Sequence, residues 1–269
     1  MRYFVLSDVH SCYDEMMQSL SKAGYDQKDG NDFLILCGDS MDRGTKPLEM
    51  VQFLQGIPKD RKALVLGNHE DLFIDAVRRA EFNRGDIHNG TKDTIRRLND
   101  GYPSRAYNVC DWLLGKEWVD YYEAGPFTFV HSFVPVKHME GDFQSIYSGD
   151  TDFLSPDHNW RNSFPRGNDW KNARWGIPWK MSDDGLFPDA DRILVCGHCS
   201  ASEFHRNLEG KLGDFDIYCH NRLIGLDGTT ALTHQVNVLV IDSNGWKCTD
   251  GTTGRELDPY SLPKRKYDI

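Results

Sequence analysis

The chain has 269 residues, 39% hydrophobic and 12% aromatic, with a formal net charge of −10. That length supports one large domain with a substantial core, and the acidic balance argues against nucleic-acid backbone binding as its main task. No apolar run reaches the ~18 residues of a membrane-spanning helix, and Met1-Arg2-Tyr3-Phe4-Val5-Leu6 meets Asp8 too soon for a signal-peptide core.

In chain order, residues 3–7 read as a strand, and 12–23 as a helix with Met16, Met17, Leu20 and Ala23 on one face. A strand at 33–37 precedes a helix near 46–55, where Pro47 suits the first turn. A strand at 63–66 leads to a helix over about 69–80 bearing Leu72, Phe73, Ala76 and Val77. This β-α-β-α-β rhythm predicts an α/β fold with a parallel sheet.

Residues 81–124 read as mainly helical, a cap beside the cleft. A strand at 127–131 ends in His131, and one at 193–196 leads into Gly197-His198. The runs Ile217–Cys219, Ala231–Thr233 and Val236–Asp242 read as a β-rich finish. Between them, 135–190 is irregular and holds Trp160, Trp170, Trp175 and Trp179, which suits a substrate-cleft insertion. The end, 254–269, is expected as an exposed tail of the single domain 1–269. Seven scattered cysteines, with Cys196 and Cys199 forming a C-x-x-C that no second pair answers, suit reduced thiols in the cytoplasm.

Three blocks carry the chemistry, each following an apolar run: Asp8-Val9-His10, Gly38-Asp39-Ser40-Met41-Asp42-Arg43-Gly44 and Gly67-Asn68-His69-Glu70. Parallel strands would deliver these blocks to one sheet edge, where such a polar cluster is costly without a cation. Asp39 can offer one oxygen to each of two ions. Asp8 and His10, two residues apart on extended backbone, share a side and grip the first ion. Asn68, His131 and His198 would hold the second. Two cations about 3.5–4 Å apart activate a water for in-line attack on phosphorus.

His69 is the natural acid for the leaving group, and Asp42 orients it and favours its charged form. Arg43 supplies a planar fork for phosphate oxygens. Asp42-Arg43-Gly44 alone would read as a surface turn, and the neighbouring blocks override that. Glu70 would suit the first turn of a helix, where an acid is favoured, but is read as supporting the site by hydrogen bonding.

Together these motifs resemble the phosphoprotein phosphatase family of metallophosphoesterases, in its bacterial and bacteriophage branch similar to bacteriophage lambda phosphatase. The resemblance covers roughly residues 3–80, 127–132 and 193–199. It implies a central β-sandwich flanked by helices in four layers, and a dinuclear centre active with Mn²⁺, with iron or zinc as alternatives. It implies hydrolysis of phosphoserine, phosphothreonine and sometimes phosphotyrosine, in a cytoplasm that would be the host's if the gene is viral. The implied metal ligands are Asp8, His10, Asp39, Asn68, His131 and His198, with His69 and Asp42 as the acid pair. A second phosphate-binding arginine is expected in the variable middle, where Arg174 is the candidate and Arg161 stands behind it.

The chain departs from the pattern at Ser7 and Ser11, where the family has glycine, at Phe133 after His131-Ser132, and at Cys199 after Gly197-His198. The rival enzyme reading is a symmetrical dinucleoside tetraphosphate hydrolase, whose need for stacking aromatics the tryptophan-rich middle could meet. That branch commonly has aspartate where this chain has Glu70. A phosphodiesterase for cyclic nucleotides or RNA ends sits poorly with the acidic charge. An inactive binding module would not retain every ligand and His69. Expected partners are thus a phosphorylated protein or small phosphoester, with no nucleic acid or membrane; oligomeric state is left open.

Overall fold

The computed structural model describes residues 1–79, 81–138, 151–163 and 167–263. The first half alternates β1 (Arg2–Leu6), α1 (Tyr13–Ala23), β2 (Asp32–Cys37), α2 (Pro47–Gly56), β3 (Lys62–Val65) and α3 (Asn68–Arg79). Helices α4 (Arg84–His88), α5 (Thr91–Leu98) and α6 (Arg105–Leu113) follow, then strands β4 (Trp118–Val119), β5 (Tyr122–Ala124) and β6 (Phe127–Phe129). The irregular middle contains β7 (Lys137–His138), β8 (Leu154–Ser155), α7 (Trp160–Ser163), α8 (Asn168–Ala173) and α9 (Pro178–Asp183). Then come β9 (Ile193–Ser200), α10 (Ala201–Phe204), β10 (Tyr218–His220), β11 (Leu223–Asp227), α11 (Thr230–Thr233), β12 (Leu239–Asp242), β13 (Lys247–Asp250) and β14 (Glu256–Leu257).

One sheet has the order β14-β13-β12-β1-β2-β3-β4, and a second has β10-β11-β9-β6-β5. Alternation along the central strands sorts their side chains into two cores. Phe4, Leu6, Leu34, Leu36 and Leu64 face an outer helical layer, packing with Met16 and Leu20 of α1, Met50 of α2 and Phe73 of α3. Val5, Ile35, Cys37 and Ala63 face the second sheet and meet Phe127, Phe129, Ile193, Val195 and Ile224. The second sheet's far face, through Leu194, Cys196 and Leu223, packs on Phe204, Trp160, Trp170 and Met181. Helices, sheet, sheet and helices therefore stack as four layers, the α/β sandwich expected. Each fully buried Leu, Ile or Phe contributes about 1.5–3 kcal/mol.

Within α5 and α6, Ile95, Leu98, Val109 and Leu113 join the outer helical core. The turn at Gly90 and Thr91 reaches the site edge, where Gly90 packs on Arg43. Two differences from the sequence reading have plain causes. The run 231–233 forms the short helix α11, not a strand; Leu232 is 81% exposed and offers no face for a sheet to bury. Strand β11, unpredicted because Gly225 interrupts its apolar run, is buried throughout and pairs in parallel with β9. Of the four middle tryptophans, Trp160 and Trp170 are core, whereas Trp175 and Trp179 stay half-buried. The tail beyond residue 263 and the segment 139–150 of the expected insertion lie outside the described residues. Among the described residues, no helix is long and apolar enough to cross a membrane.

Candidate metal centre

β1, β2 and β3 are parallel, so the turns at their carboxyl ends meet on one edge of the first sheet. β6 and β9 bring His131 and His198 to that edge from the second sheet. The Gly197 amide donates to the His131 carbonyl at 2.7 Å and ties those two turns together. Asp8, His10, Ser11, Asp39, Asp42, Arg43 and His198 all take positive φ, between 47° and 69°. Left-handed backbone costs an L-residue about 1–2 kcal/mol. Here it is held by backbone bonds from Asp8 to Gly38 (3.2 Å), His10 to Asp39 (3.0 Å) and Ser11 to Ser40 (2.8 Å).

Donor atoms of His10, Asp39 and His69 lie within 4.8 Å of one another, as do those of Asp39, His131 and His198. Asp39 belongs to both groups. Its Oδ1 is 3.4 Å from His131 Nε2, and its Oδ2 is 3.8 Å from His10 Nε2. Asn68 Oδ1 stands 2.7 Å from His131 Nε2 and 3.0 Å from His198 Nδ1. Asp8 joins through Oδ2, which accepts the His198 amide at 2.9 Å and lies against the Ser7 hydroxyl. Glycine is obligatory at two approaches. A Cβ on Gly67 would lie 2.2 Å from Asp39 Oδ1, and one on Gly197 would lie 2.0 Å from Asp8 Oδ2.

The donor set fits metal ions. His10 Nδ1 is 3.0 Å from the Met41 carbonyl and His131 Nδ1 is 2.9 Å from the Cys37 carbonyl, which assigns the N–H to Nδ1 in each ring. Each Nε2 then turns a lone pair inward. For His131 that lone pair faces the Asn68 carbonyl oxygen, so two acceptors confront one another, an arrangement that a cation satisfies. Burial, the largest cause, lowers the imidazole pKa of His10 and His198 well below 6.5 and takes His131 to about 4. The neutral ring is the ligand form. Asp39's carboxyl is raised well above the usual range, first by burial and then by Asp8 and Glu70. Oxygen and imidazole donors of this kind suit hard to borderline divalent cations.

His69 lies beside the cluster. Its Nδ1 is 2.8 Å from Asp42 Oδ2, which also accepts the Thr91 hydroxyl at 2.6 Å. Arg43, exposed, directs one guanidinium nitrogen at His10 Nε2 (3.0 Å) and another at His69 Nε2 (3.1 Å). The fork thus spans the opening of the site.

Arg174 does not take the role expected of it. It is 3% exposed, with one terminal nitrogen 2.6 Å from Asp71 Oδ2 and the other bonded to Asp120. A guanidinium committed at both ends to carboxylates has no fork left for phosphate. Arg161 is likewise occupied, by Glu123 and Asp189, with its charge 4.2 Å above the Trp160 ring.

Two contributors, Thr91 and Asp227, escaped the sequence reading, and Glu70 supports the site by hydrogen bonding as its position suggested. Thr91 carries no local signal, since its contact with Asp42 spans 49 residues. Glu70 proves to be a four-donor clamp, accepting the amides of Asp39, Ser40 and Gly67 and the Ser40 hydroxyl. Asp227 is buried at the end of β11, and its carboxyl is raised by burial and by Asp8. Its signal was visible: an apolar run ending in Asp before Gly228 repeats the pattern that ends β2 in reverse order of glycine and acid.

A cavity of about 690 Å³ opens beside Asn68, between α3 and α8. A smaller one, about 210 Å³, lies on the other side along Arg43, Ser11 and Lys46.

The calcineurin-like phosphoesterase family profile matches residues 1–222. The chain is 30% identical over 208 residues to a symmetrical bis(5'-nucleosyl)-tetraphosphatase of Photobacterium profundum, covering 73% of this chain and 72% of that protein. It is 30% identical over 133 residues to the asymmetrical bis(5'-nucleosyl)-tetraphosphatase PrpE of Bacillus velezensis, covering 47% of this chain and half of the relative's length. Among solved structures, the cold-active protein-tyrosine phosphatase of a Shewanella species superposes with a TM-score of 0.57 at 18% identity, covering 96% of this chain and 80% of that one. That likeness is one of fold.

Proposed function

The chain belongs to the calcineurin-like phosphoesterase family, and from that premise we propose that it hydrolyses dinucleoside polyphosphates with two bound divalent ions. The observation that carries this reading is Asp39, common to two groups of ligand atoms, with the His69–Asp42 pair alongside. Asp8, His10 and Asp39 would hold one ion, and Asp39, Asn68, His131 and His198 the other, with Mn²⁺ the preferred occupant. When bound, the ions polarise phosphoryl oxygens and activate a water for attack.

The protein's own groups do the remaining work. Arg43 exchanges its imidazole partners for equatorial phosphate oxygens, which its planar fork matches in pairs. That exchange frees His69 Nε2 toward the departing oxygen. Asp42 holds the other side of the ring and fixes its orientation, so a proton delivered at Nε2 meets the leaving group. Glu70 keeps the turns carrying Asp39 and Asn68 in register.

The choice of substrate rests on the names carried by relatives that span most or half of their own length in the match. They favour the reading that the sequence motifs ranked second, ahead of a serine/threonine protein phosphatase. A panel of diadenosine tetraphosphate, phosphopeptides and p-nitrophenyl phosphate with Mn²⁺ supplied tests it. The expected result is a kcat/KM for the dinucleotide well above that for any phosphopeptide. The reverse order returns the chain to protein-phosphatase chemistry.

A further inference from the structure

We infer that the cavity between α3 and α8 is a nucleoside subsite, so that substrate lies with its base against Trp175 and its phosphates toward Arg43. This rests on the dinucleotide reading above and adds to it the residues that select the nucleoside. The cavity, about 690 Å³, falls in the range of small-molecule sites and is walled by Asn68, Leu72, Asn168, Asn172 and Trp175. Asn68 is also in the ligand set, so the cavity runs directly into the centre. The Trp175 ring packs edge-on against the His198 ring at 5.7 Å, which sets the indole beside the candidate metal centre.

The lining matches a base and opposes a polyanion. An indole on one wall and the Leu72 side chain on another offer apolar surface to a flat ring, and base–aromatic stacking tolerates any base. The amides of Asn168 and Asn172 supply donors and acceptors for its edge. The charges here are balanced or negative. Lys171 is held by both oxygens of Asp75 at 3.1 Å, Arg174 is tied to Asp71 and Asp120, and Asp169 adds a further carboxylate. An uncharged nucleoside enters such a lining at lower cost than a phosphate chain. The phosphates turn the other way, along Arg43 to the smaller cavity, which offers Lys46 and Thr45 beside Asp14 and Glu15 and where the buried Ser11 hydroxyl has no hydrogen-bond partner among the described residues. Lys46 is there paired with Asp14 at 2.6 Å, a bond on the exposed surface that an incoming phosphate can replace.

The test compares Trp175→Ala, Trp175→Phe and Asn172→Ala with the full-length parent, each loaded with Mn²⁺. Diadenosine tetraphosphate and p-nitrophenyl phosphate are the substrates, and adenosine is a competitive inhibitor. In Trp175→Ala the ratio of kcat/KM for the dinucleotide to that for p-nitrophenyl phosphate should fall about tenfold, with KM carrying the loss. Trp175→Phe should recover most of it. Adenosine should inhibit the parent competitively and both alanine variants more weakly. Equal losses on both substrates, or a parent that adenosine does not inhibit, would overturn the subsite. A parent that turns over p-nitrophenyl phosphate and phosphopeptides but not the dinucleotide would overturn the substrate reading itself, whatever Trp175 does.

Discussion

Glu70 accepts the backbone amide of Asp39 at 2.9 Å with the same oxygen that accepts the Gly67 amide at 2.8 Å. Its other oxygen takes the amide and hydroxyl of Ser40, both at 2.8 Å. One fully buried carboxylate therefore locks the turn after β2 to the turn after β3. The positive φ of Asp39, 54°, is the strain that this clamp sustains.

Glu70→Gln turns an amide NH₂ toward donors and leaves at least one of them unpaired. Stability should fall by about 2–4 kcal/mol and metal affinity by about 10–100-fold. Urea unfolding and Mn²⁺ titration check both. A variant matching the parent in both would show the clamp to be idle.

Much of this was legible because the chemistry is local. Asp8, His10, Asp39, Asn68 and His69 each follow a strand within four residues, so strand order alone brings them together. His131 and His198 were readable as strand-end histidines. Arg174 misled because sequence shows a cation and not its partners; Asp71 and Asp120 lie 103 and 54 residues away. Thr91 escaped for the same reason. Strand β11 was hidden by Gly225, whose missing side chain makes room for the Phe204 ring, 3.0 Å from where a Cβ would stand.

Ser11 occupies a glycine position of the family pattern with φ 55°, and its buried hydroxyl has no hydrogen-bond partner among the described residues. Ser11→Gly removes both the backbone strain and the orphaned group, offset partly by the flexibility glycine adds to the unfolded chain. Unfolding free energy should rise by about 1 kcal/mol, measured by denaturant titration. A loss of stability would mean the hydroxyl has a role in the folded protein.

His69→Asn separates ligand from acid. With Nδ1 on Asp42 and Nε2 on Arg43, His69 should deliver a proton and leave metal content near the parent's. Turnover should drop about 10²–10⁴-fold, less on p-nitrophenyl phosphate, whose leaving group needs little protonation. Loss of an ion, read by elemental analysis, would instead make His69 a ligand, as its closeness to His10 and Asp39 allows.

Acid should destabilise the metal-free protein. Burial lowers the folded-state pKa of His10, His131 and His198, that of His131 to about 4. Between that value and the ordinary 6.5 the unfolded chain binds protons that the folded chain refuses. Their stabilising contribution is complete above about pH 6.5 and is lost as pH falls through the window, of order 3 kcal/mol for His131. Asp39 and Asp227, whose carboxyls burial raises, lean the opposite way and shallow the slope. After chelation, the urea midpoint should decline from about pH 7 to about pH 5, and His131→Asn should flatten that decline. An unchanged slope in the variant would contradict the assignment.

The dinuclear centre on Asp39 is tested most directly by calorimetric titration of Mn²⁺ into the metal-free protein and its Asp39→Asn and His198→Ala variants. The parent should bind two ions per chain, His198→Ala should keep one, and Asp39→Asn should weaken both. A single ion in the parent, or two ions held as tightly by Asp39→Asn as by the parent, would contradict a carboxylate shared between two metals.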